Sequence, residues 1–338
     1  MAISKQADLA RFFGASALFY YHLGISTGYP MSGWGEYGVA VFILLAGIAY
    51  VCFSSFHPSD LRSYRRYICA RITAVFPMFI TINLALYLGS FLYPSGLGRP
   101  FTFLEFILSS AGLSQYFGFR YLSTVMWFIP FIMQAYLLFP FIDYLLNRVS
   151  GAWVIAASFV ISLALVAMVF SCCPSNAKEI CVNWCVLFRL PEVSLGLILG
   201  KTLFSKRDPL GGLSALATYC VLSLLLATVV SSHFVREAYV LALPWRGLVV
   251  SLLVSILALV LAPVFTTAKK TGFLRLIGVA SFPFFLIHRV AIVCLYNRVG
   301  TTWWVWFIYF ISCWSAALIL AMGSARVRNL SSFRALRQ

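Results

Sequence analysis

Two ionisable side chains, Arg11 and His22, lie in the first apolar segment of the chain. Charged or ionisable groups inside a membrane span are costly, so they indicate a functional site by default. Eleven residue steps of about 100° make almost three turns, which places both side chains on one helix face, about 16 Å apart along the axis. This spacing predicts a fixed positive charge near one membrane surface and an imidazole, the natural base near pH 7, deep in the bilayer.

The composition is that of a protein embedded in a membrane. Hydrophobic residues make up 62% of the 338 residues and charged residues only 10%, whereas the surface of a soluble domain needs more charge. The net charge of +16 comes from basic residues between apolar segments, where they are typical of cytoplasmic loops. We therefore expect membrane lipids, and no nucleic acid, as partners. No cleavage site follows the first apolar segment, so we expect that segment to be retained as a helix.

Ten apolar segments have the roughly 17–25 residues that a helix needs to cross a bilayer. They cover residues 8–25, 37–56, 72–93, 123–146, 152–171, 186–204, 212–231, 247–266, 276–297 and 302–323. An eleventh, weaker segment, 102–120, carries Glu105. The flanking Lys and Arg residues place both termini in the cytoplasm, which requires an even number of crossings. The predicted fold is therefore an all-α polytopic membrane protein with about ten transmembrane helices, in which 102–120 is re-entrant or interfacial on the outer side.

The chain is expected to form a single transmembrane domain over residues 1–325, because its connections are too short for another domain. A basic cytoplasmic tail, 326–338, would follow and contact anionic lipid headgroups. This arrangement leaves any chemistry to helices and short loops.

Four cysteines crowd one connection that this topology places outside: Cys172, Cys173, Cys181 and Cys185. Disulfides form in oxidising compartments such as the bacterial periplasm. The spacing is not that of a standard zinc finger and no His lies nearby. One or two disulfides that brace the loop are therefore favoured over a zinc site, and unpaired thiols remain the alternative.

Six motifs follow one another along the chain. They are the Arg11–His22 pair, Tyr37–Gly47, Arg65–Ile72 with Pro77, Trp127–Pro140, Arg189–Gly200 and Ser281–His288. In type and order they resemble the acyltransferase-3 family of bacterial membrane acyltransferases, over roughly residues 8–300. One departure is that Ile132 and Met133 stand where many members carry glutamates, which argues against a mechanism that uses a carboxylate there.

The resemblance implies an O-acyltransferase of the bacterial inner membrane. Such an enzyme moves an acyl group, with acetyl favoured, from cytoplasmic acyl-CoA to an envelope or exported carbohydrate. Acetyl-CoA would be a substrate and not a permanently bound cofactor, and no metal is expected. The implied partners are membrane lipids, a carbohydrate acceptor in free or lipid-linked form, and polysaccharide assembly or export machinery. The alternative is a transporter or flippase for a glycan or lipid-linked sugar, although the inverted repeats typical of transporters are not evident.

Acyl transfer to a hydroxyl requires a base that takes its proton and groups that stabilise the developing oxyanion. His22 suits the role of base, and the resemblance points to the same residue. The candidate donor-binding residues are Arg11, Arg65, Arg66 and Arg71, because arginine forks match the phosphate oxygens of coenzyme A. The positive-inside rule alone also predicts such a cluster.

Seven further residues are candidates for binding or supporting the acceptor: Glu36, Trp127, Gln134, Arg189, Glu192, Ser281 and His288. Arg189 and Glu192 are three residues apart, so a structural ion pair and an acceptor site weigh equally. An aromatic ring beside an amide suits a sugar, yet an interfacial belt is favoured for Trp127.

His288 is predicted at about the depth of His22, some 18 Å into its span, with Ser281 on nearly the same face. Proton transfer, sugar contact and a bond to a facing helix remain open as roles for His288.

Overall fold

The computed structural model describes residues 2–27, 34–53, 61–92, 99–117, 119, 122, 124–172, 185–205, 214–223, 271–299 and 303–335. Within these ranges the chain forms α-helices, 3₁₀ turns and short connections, and none of them contains a strand. The prediction of an all-α class is therefore confirmed.

The helices follow the predicted order of spans. They are α1 (Ala2–Thr27), α2 (Trp34–Phe53), α3 (Leu61–Leu92), α4 (Phe103–Ser110), α5 (Phe128–Leu146), α6 (Gly151–Cys172), α7 (Leu190–Ser205), α8 (Ser214–Ser223), α9 (Thr271–Val299) and α10 (Trp303–Ala335). Short 3₁₀ turns, Thr124–Trp127 and Val186–Arg189, lead into α5 and α7. A helix overlaps every predicted span except 247–266, which lies outside the described residues.

Four helical stretches of the described part are long and apolar enough to cross a membrane. These are Arg62–Leu92, Val125–Leu146, Gly151–Val169 and Trp304–Gly323. Shorter apolar helices cover Gly38–Cys52, Ser214–Ser223 and Leu276–Arg289. The chain is thus a helical membrane protein. The number of ten crossings and the side on which the termini lie remain predictions.

Two helices extend well beyond the apolar segments from which they were predicted. Helix α3 begins at Leu61 and not near residue 72, and α10 continues to Ala335 through most of the predicted tail. Arginine is a good helix former and no Gly or Pro interrupts residues 61–71, so nothing ends the helix at the edge of the apolar segment. The basic residues between 62 and 71 are therefore helical, where a loop had been predicted. A helix of 32 residues rises about 48 Å and exceeds the hydrocarbon core of about 30 Å.

The weak segment around Glu105 forms only a short helix, α4. Its eight residues rise about 12 Å, too little to cross a bilayer, which fits the prediction of a segment that does not cross. Thr102 and Glu105 form a capping box, and Arg99 donates two hydrogen bonds of 3.0 and 2.7 Å to the buried Glu105 carboxylate. Gly112 then turns the chain with a φ of 73°, which glycine adopts without strain.

The chain divides into two compact units. The first contains Met1–Gly38, Phe76–Met126 and Leu252–Gln338, and the second contains Val39–Val75 and Trp127–Ser251. The described core of the first unit is an aromatic cluster that joins α1, α9 and α10, in which the rings of Phe284 and Trp314 stack with centroids 4.2 Å apart.

In the second unit, α2 and α7 approach closely. A Cβ atom added to Gly47 would lie 2.7 Å from the carbonyl carbon of Gly196. Gly200 follows Gly196 by four residues, and such small residues allow helix backbones to meet in a membrane.

Candidate active site

The imidazoles of His22 and His288 meet where α1 packs along α9 in the first unit. Their ring centroids are 5.2 Å apart and their planes are tilted by 40°. This distance agrees with the comparable depth expected for the two residues. His288 is fully buried, whereas His22 is half-buried. His22 is therefore the member of the pair that a substrate can reach.

The His288 ring is held by its own helix. Its Nδ1 atom lies 2.7 Å from the carbonyl oxygen of Phe285 and 3.3 Å from that of Phe284. Carbonyl oxygens only accept hydrogen bonds, so Nδ1 donates and carries a proton. The Phe284 ring lies nearly parallel to the imidazole, at an angle of 9°. The other nitrogen, Nε2, is buried and has no hydrogen-bond partner among the described residues.

Arg289 joins the two helices beside this pair. Its Nη1 atom donates a 3.3 Å hydrogen bond to the backbone carbonyl oxygen of His22. This bond holds the backbone of His22 to α9, the helix that carries His288.

Arg11 forms an ion pair with Asp8, one turn earlier on α1, over 2.8 Å. Asp8 is buried and its carboxylate packs directly against Gly278 of α9. Asp8 is not among the site residues predicted from the sequence, although its spacing of three residues from Arg11 on one helix face was a usable signal. Ser281 donates a 2.7 Å hydrogen bond to the carbonyl oxygen of Gly278. Its hydroxyl proton is therefore used within α9.

The donor-binding candidates on α3 divide into two environments in the second unit. Arg71 is half-buried, and its guanidinium carbon lies 5.2 Å from the ring centre of Tyr67 and 5.6 Å from that of Tyr136. Its Nε atom is buried and has no hydrogen-bond partner in the described part of the chain. Arg65 and Arg66 are exposed.

Arg189 and Glu192 form a buried, two-pronged ion pair in the second unit. Nε and Nη2 of the guanidinium donate to the two carboxylate oxygens over 3.1 and 3.2 Å. The predicted ion pair is therefore present. A role of these two residues in acceptor binding stays a prediction.

The remaining candidates of the second unit and of α2 do not form one cluster among the described residues. Gln134 accepts a 3.2 Å hydrogen bond from the backbone nitrogen of Val186 and so ties α5 to the turn before Arg189. Trp127 makes edge contacts with Phe128 and Phe131. Glu36 lies in α2, and its side chain is outside the described residues.

A family model described as an acyltransferase domain matches residues 5–322. The chain belongs to the acyltransferase-3 family. The resemblance carried by the six motifs is therefore confirmed, and the protein is a membrane acyltransferase in its general class. No curated protein and no solved structure matches the chain at a significant level.

One buried acid of this family member was not among the predicted site residues. Glu105 could have been recognised as a structural residue from the capping-box spacing of Thr102 and Glu105. Burial acts to raise the pKa of the Glu105 carboxyl, but hydrogen bonds from Arg99 and Thr102 outweigh it and lower the pKa below its usual value.

The predicted disulfide loop is described in part. Cys172 and Cys185 are free thiols, which corresponds to the alternative of unpaired cysteines. Cys173 and Cys181 lie outside the described residues. Among the residues that the structure describes, no three His, Cys, Asp or Glu side chains gather in a group that could hold a metal ion.

Proposed function

We propose that this acyltransferase transfers an acetyl group from cytoplasmic acetyl-CoA to a hydroxyl of an envelope or exported carbohydrate, in the inner membrane of a bacterium. Family membership supports the transfer of an acyl group. The observation that carries the site is the half-buried imidazole of His22 on α1, which covers the first predicted span, with its ring beside a second imidazole. A neutral imidazole is the side chain best suited to take a hydroxyl proton near pH 7.

In the proposed reaction, a ring nitrogen of His22 takes the proton of the acceptor hydroxyl as the oxygen attacks the thioester carbonyl carbon. A carbon–oxygen bond forms, the carbon–sulfur bond breaks, and the sulfur leaves with the electron pair as the thiolate of coenzyme A. The protonated His22 then returns its proton to that thiolate. The products are an ester and free coenzyme A, and His22 ends in its starting state.

The candidates for binding the donor remain Arg11, Arg65, Arg66 and Arg71. Two facts support Arg71 in particular: its guanidinium lies over two tyrosine rings, which orient it, and its buried Nε has no hydrogen-bond partner among the described residues. The exposed Arg65 and Arg66 suit the phosphates of coenzyme A and also suit lipid headgroups. The phosphate–arginine contacts would leave the acyl end of the donor to extend toward the bilayer.

Support for the acceptor is proposed mainly at His288, beside the base. Arg189 and Glu192 satisfy each other over two hydrogen bonds, so we assign them to the framework that supports the acceptor side. Gln134 would have the same role through its bond to Val186, as would Ser281 within α9. Trp127 and Glu36 remain candidates for direct contact with the sugar.

The test is mass spectrometry of surface and exported glycans from a deletion strain complemented with the wild-type protein, with His22→Ala or with His57→Ala. His57→Ala is the matched control because it removes a histidine from a connection between predicted spans. We expect a base-labile acyl mass with the wild type and with the control, and none with His22→Ala expressed at the same level. Full acylation with His22→Ala would overturn the assignment of the base.

Turnover of acyl-CoA by the purified protein separates the enzyme from a transporter. We expect release of free coenzyme A that depends on an added carbohydrate acceptor. Transport of a glycan without any consumption of acyl-CoA would overturn the proposed activity and favour the transporter or flippase.

A further inference from the structure

The His288 imidazole presents an acceptor that nothing in the described structure uses. Its Nδ1 proton is directed to the carbonyl oxygens of Phe285 and Phe284. In the neutral ring, Nε2 therefore carries a lone pair and can accept a hydrogen bond. That nitrogen is buried and lacks a hydrogen-bond partner among the described residues. Buried polar atoms without partners are rare and costly, so each calls for an explanation.

His22 is a neighbouring side chain that can supply a donor. Its ring centroid lies 5.2 Å from that of His288. At this separation a small rotation of the half-buried His22 ring can bring an N–H group to Nε2 within hydrogen-bond distance. Substrate reaches His22 first, because His288 is fully buried.

We propose that His288 is a positioning residue for His22: its Nε2 accepts a hydrogen bond from one ring nitrogen of His22 and thereby directs the other ring nitrogen, with its lone pair, at the acceptor hydroxyl. This inference rests on the proposed function and deepens it. It extends to two imidazoles the arrangement in which a base is oriented by a third group.

A count of protons favours this arrangement over direct contact of both imidazoles with one hydroxyl. A hydroxyl has a single proton and can donate to one acceptor only. In the proposed chain the hydroxyl donates to His22, His22 donates to His288, and His288 donates to the carbonyl oxygen of Phe285. Every proton has one acceptor, and the chain ends at a group that cannot donate. The proton taken from the substrate stays on His22, and His288 remains neutral throughout.

The surrounding contacts hold both rings in place for this role. On one side, Phe284 lies parallel to His288 and is itself stacked on Trp314, at 4.2 Å and 19°. On the other side, Arg289 fixes the backbone of His22 to α9. A base must be held close to its productive geometry by such supporting contacts to act efficiently.

The kinetic test compares His288→Phe with His288→Gln in purified, full-length protein. Phe fills the space beside Phe284 without an acceptor, whereas the Gln amide oxygen can accept near the position of Nε2. Since a positioned base contributes about 10²–10⁴-fold, we expect the Phe variant to lose about 10²-fold in kcat with an unchanged KM for acyl-CoA. The kcat of the Gln variant should be at least tenfold higher than that of the Phe variant.

Wild-type kcat in the Phe variant would overturn the proposal. So would a folded Gln variant that is as slow as the Phe variant, because an acceptor at this position would then not suffice. Thermal unfolding of each variant checks that a slow variant is folded.

A second measurement does not depend on activity. The chain has four histidines, so ¹⁵N-histidine labelling gives a spectrum that can be assigned by substitution. We expect one neutral ring protonated at Nδ1 whose signal disappears in His288→Gln, together with a shifted His22 signal. A His288 ring protonated at Nε2 would overturn the inference whatever the activity. Absence of acyl-CoA turnover in the wild type would instead count against the proposed function, so the two failures are distinguishable.

Discussion

One polar pair in each unit shows how differently buried polar atoms can be satisfied. In the second unit, Arg189 and Glu192 bind each other through two hydrogen bonds. In the first unit, His22 and His288 lie ring beside ring, and Nε2 of His288 has no partner among the described residues. The difference separates the two uses of a buried polar group. A pair that is satisfied internally holds helices together, whereas an unused acceptor beside a reachable base is available for chemistry.

The largest effect is expected at the satisfied pair. Glu192→Leu leaves the buried Arg189 charge without its carboxylate, which costs about 3–5 kcal/mol in the free energy of unfolding. The double variant Arg189→Met with Glu192→Leu should recover most of that loss, because no unpaired charge remains. Denaturant unfolding of the detergent-solubilised protein gives both values. A stable but inactive double variant would move the pair from the framework to the acceptor site.

The next largest loss of stability is expected where a methyl group is added at a close helix contact, and each unit offers such a contact. Gly47→Ala places a Cβ atom 2.7 Å from the backbone carbonyl carbon of Gly196, and overpacking of this kind costs about 1–3 kcal/mol. Gly278→Ala meets the side chain of Asp8 instead. Because the contact includes the Cβ atom of Asp8, which is fixed to its backbone, both substitutions should cost stability. Only Gly278→Ala should also displace Arg11, the partner of Asp8, and raise KM for acyl-CoA.

Thermal unfolding and initial-rate kinetics of the two glycine variants measure these effects. An unchanged KM in Gly278→Ala, or an equal rise of KM in both variants, would contradict the distinction.

A smaller, pH-dependent effect is expected at a third polar pair, in which a buried Glu105 binds an exposed Arg99. Because the pKa of Glu105 is lowered in the folded protein, this carboxylate stabilises the fold above its unfolded pKa of about 4.3. That stabilisation is lost as the pH falls through the folded-state value. Stability measured between pH 7 and pH 3 should therefore fall at the acid end, and Glu105→Gln should flatten this dependence. An equally steep fall in Glu105→Gln would assign it to other groups.

The smallest change in stability is expected for a substitution of His288. His288→Phe removes a buried acceptor that has no partner among the described residues and adds another ring beside Phe284. The free energy of unfolding should therefore stay within about 1 kcal/mol of the wild-type value or rise. Activity should nevertheless fall. A large loss of stability would show that His288 is a framework residue like Arg189.

The features that could be predicted from the sequence depend on distances measured along individual helices. The rise of 1.5 Å per residue was sufficient to place His288 near the level of His22, and the three-residue spacing was sufficient to suggest the pair of Arg189 and Glu192. The helices could be located because apolar runs of spanning length have few alternative structures. Their ends could not, since the basic residues before residue 72 favour a helix as readily as a loop.

Contacts between distant parts of the chain were beyond the sequence. Gly278 lies against Asp8, and Arg289 reaches the backbone of His22, only because α1 and α9 are packed together. No local pattern encodes such a contact. The same holds for Nε2 of His288, since its lack of a partner among the described residues depends on every side chain around it. The roles of the predicted site residues therefore remain predictions until the variants are measured.

The close approach of α2 and α7 has a consequence for how the protein tolerates mutation. Gly47 and Gly196 leave no space for a methyl group, whereas Trp153, Val160 and Ile319 expose more than 60% of their surface on helices that face lipid. None of these five residues has a charged side chain, so charge does not distinguish the two groups. Size does. A saturation mutagenesis library should therefore tolerate substitution at exposed apolar positions such as Trp153 and reject even the smallest side chain at Gly47 and Gly196.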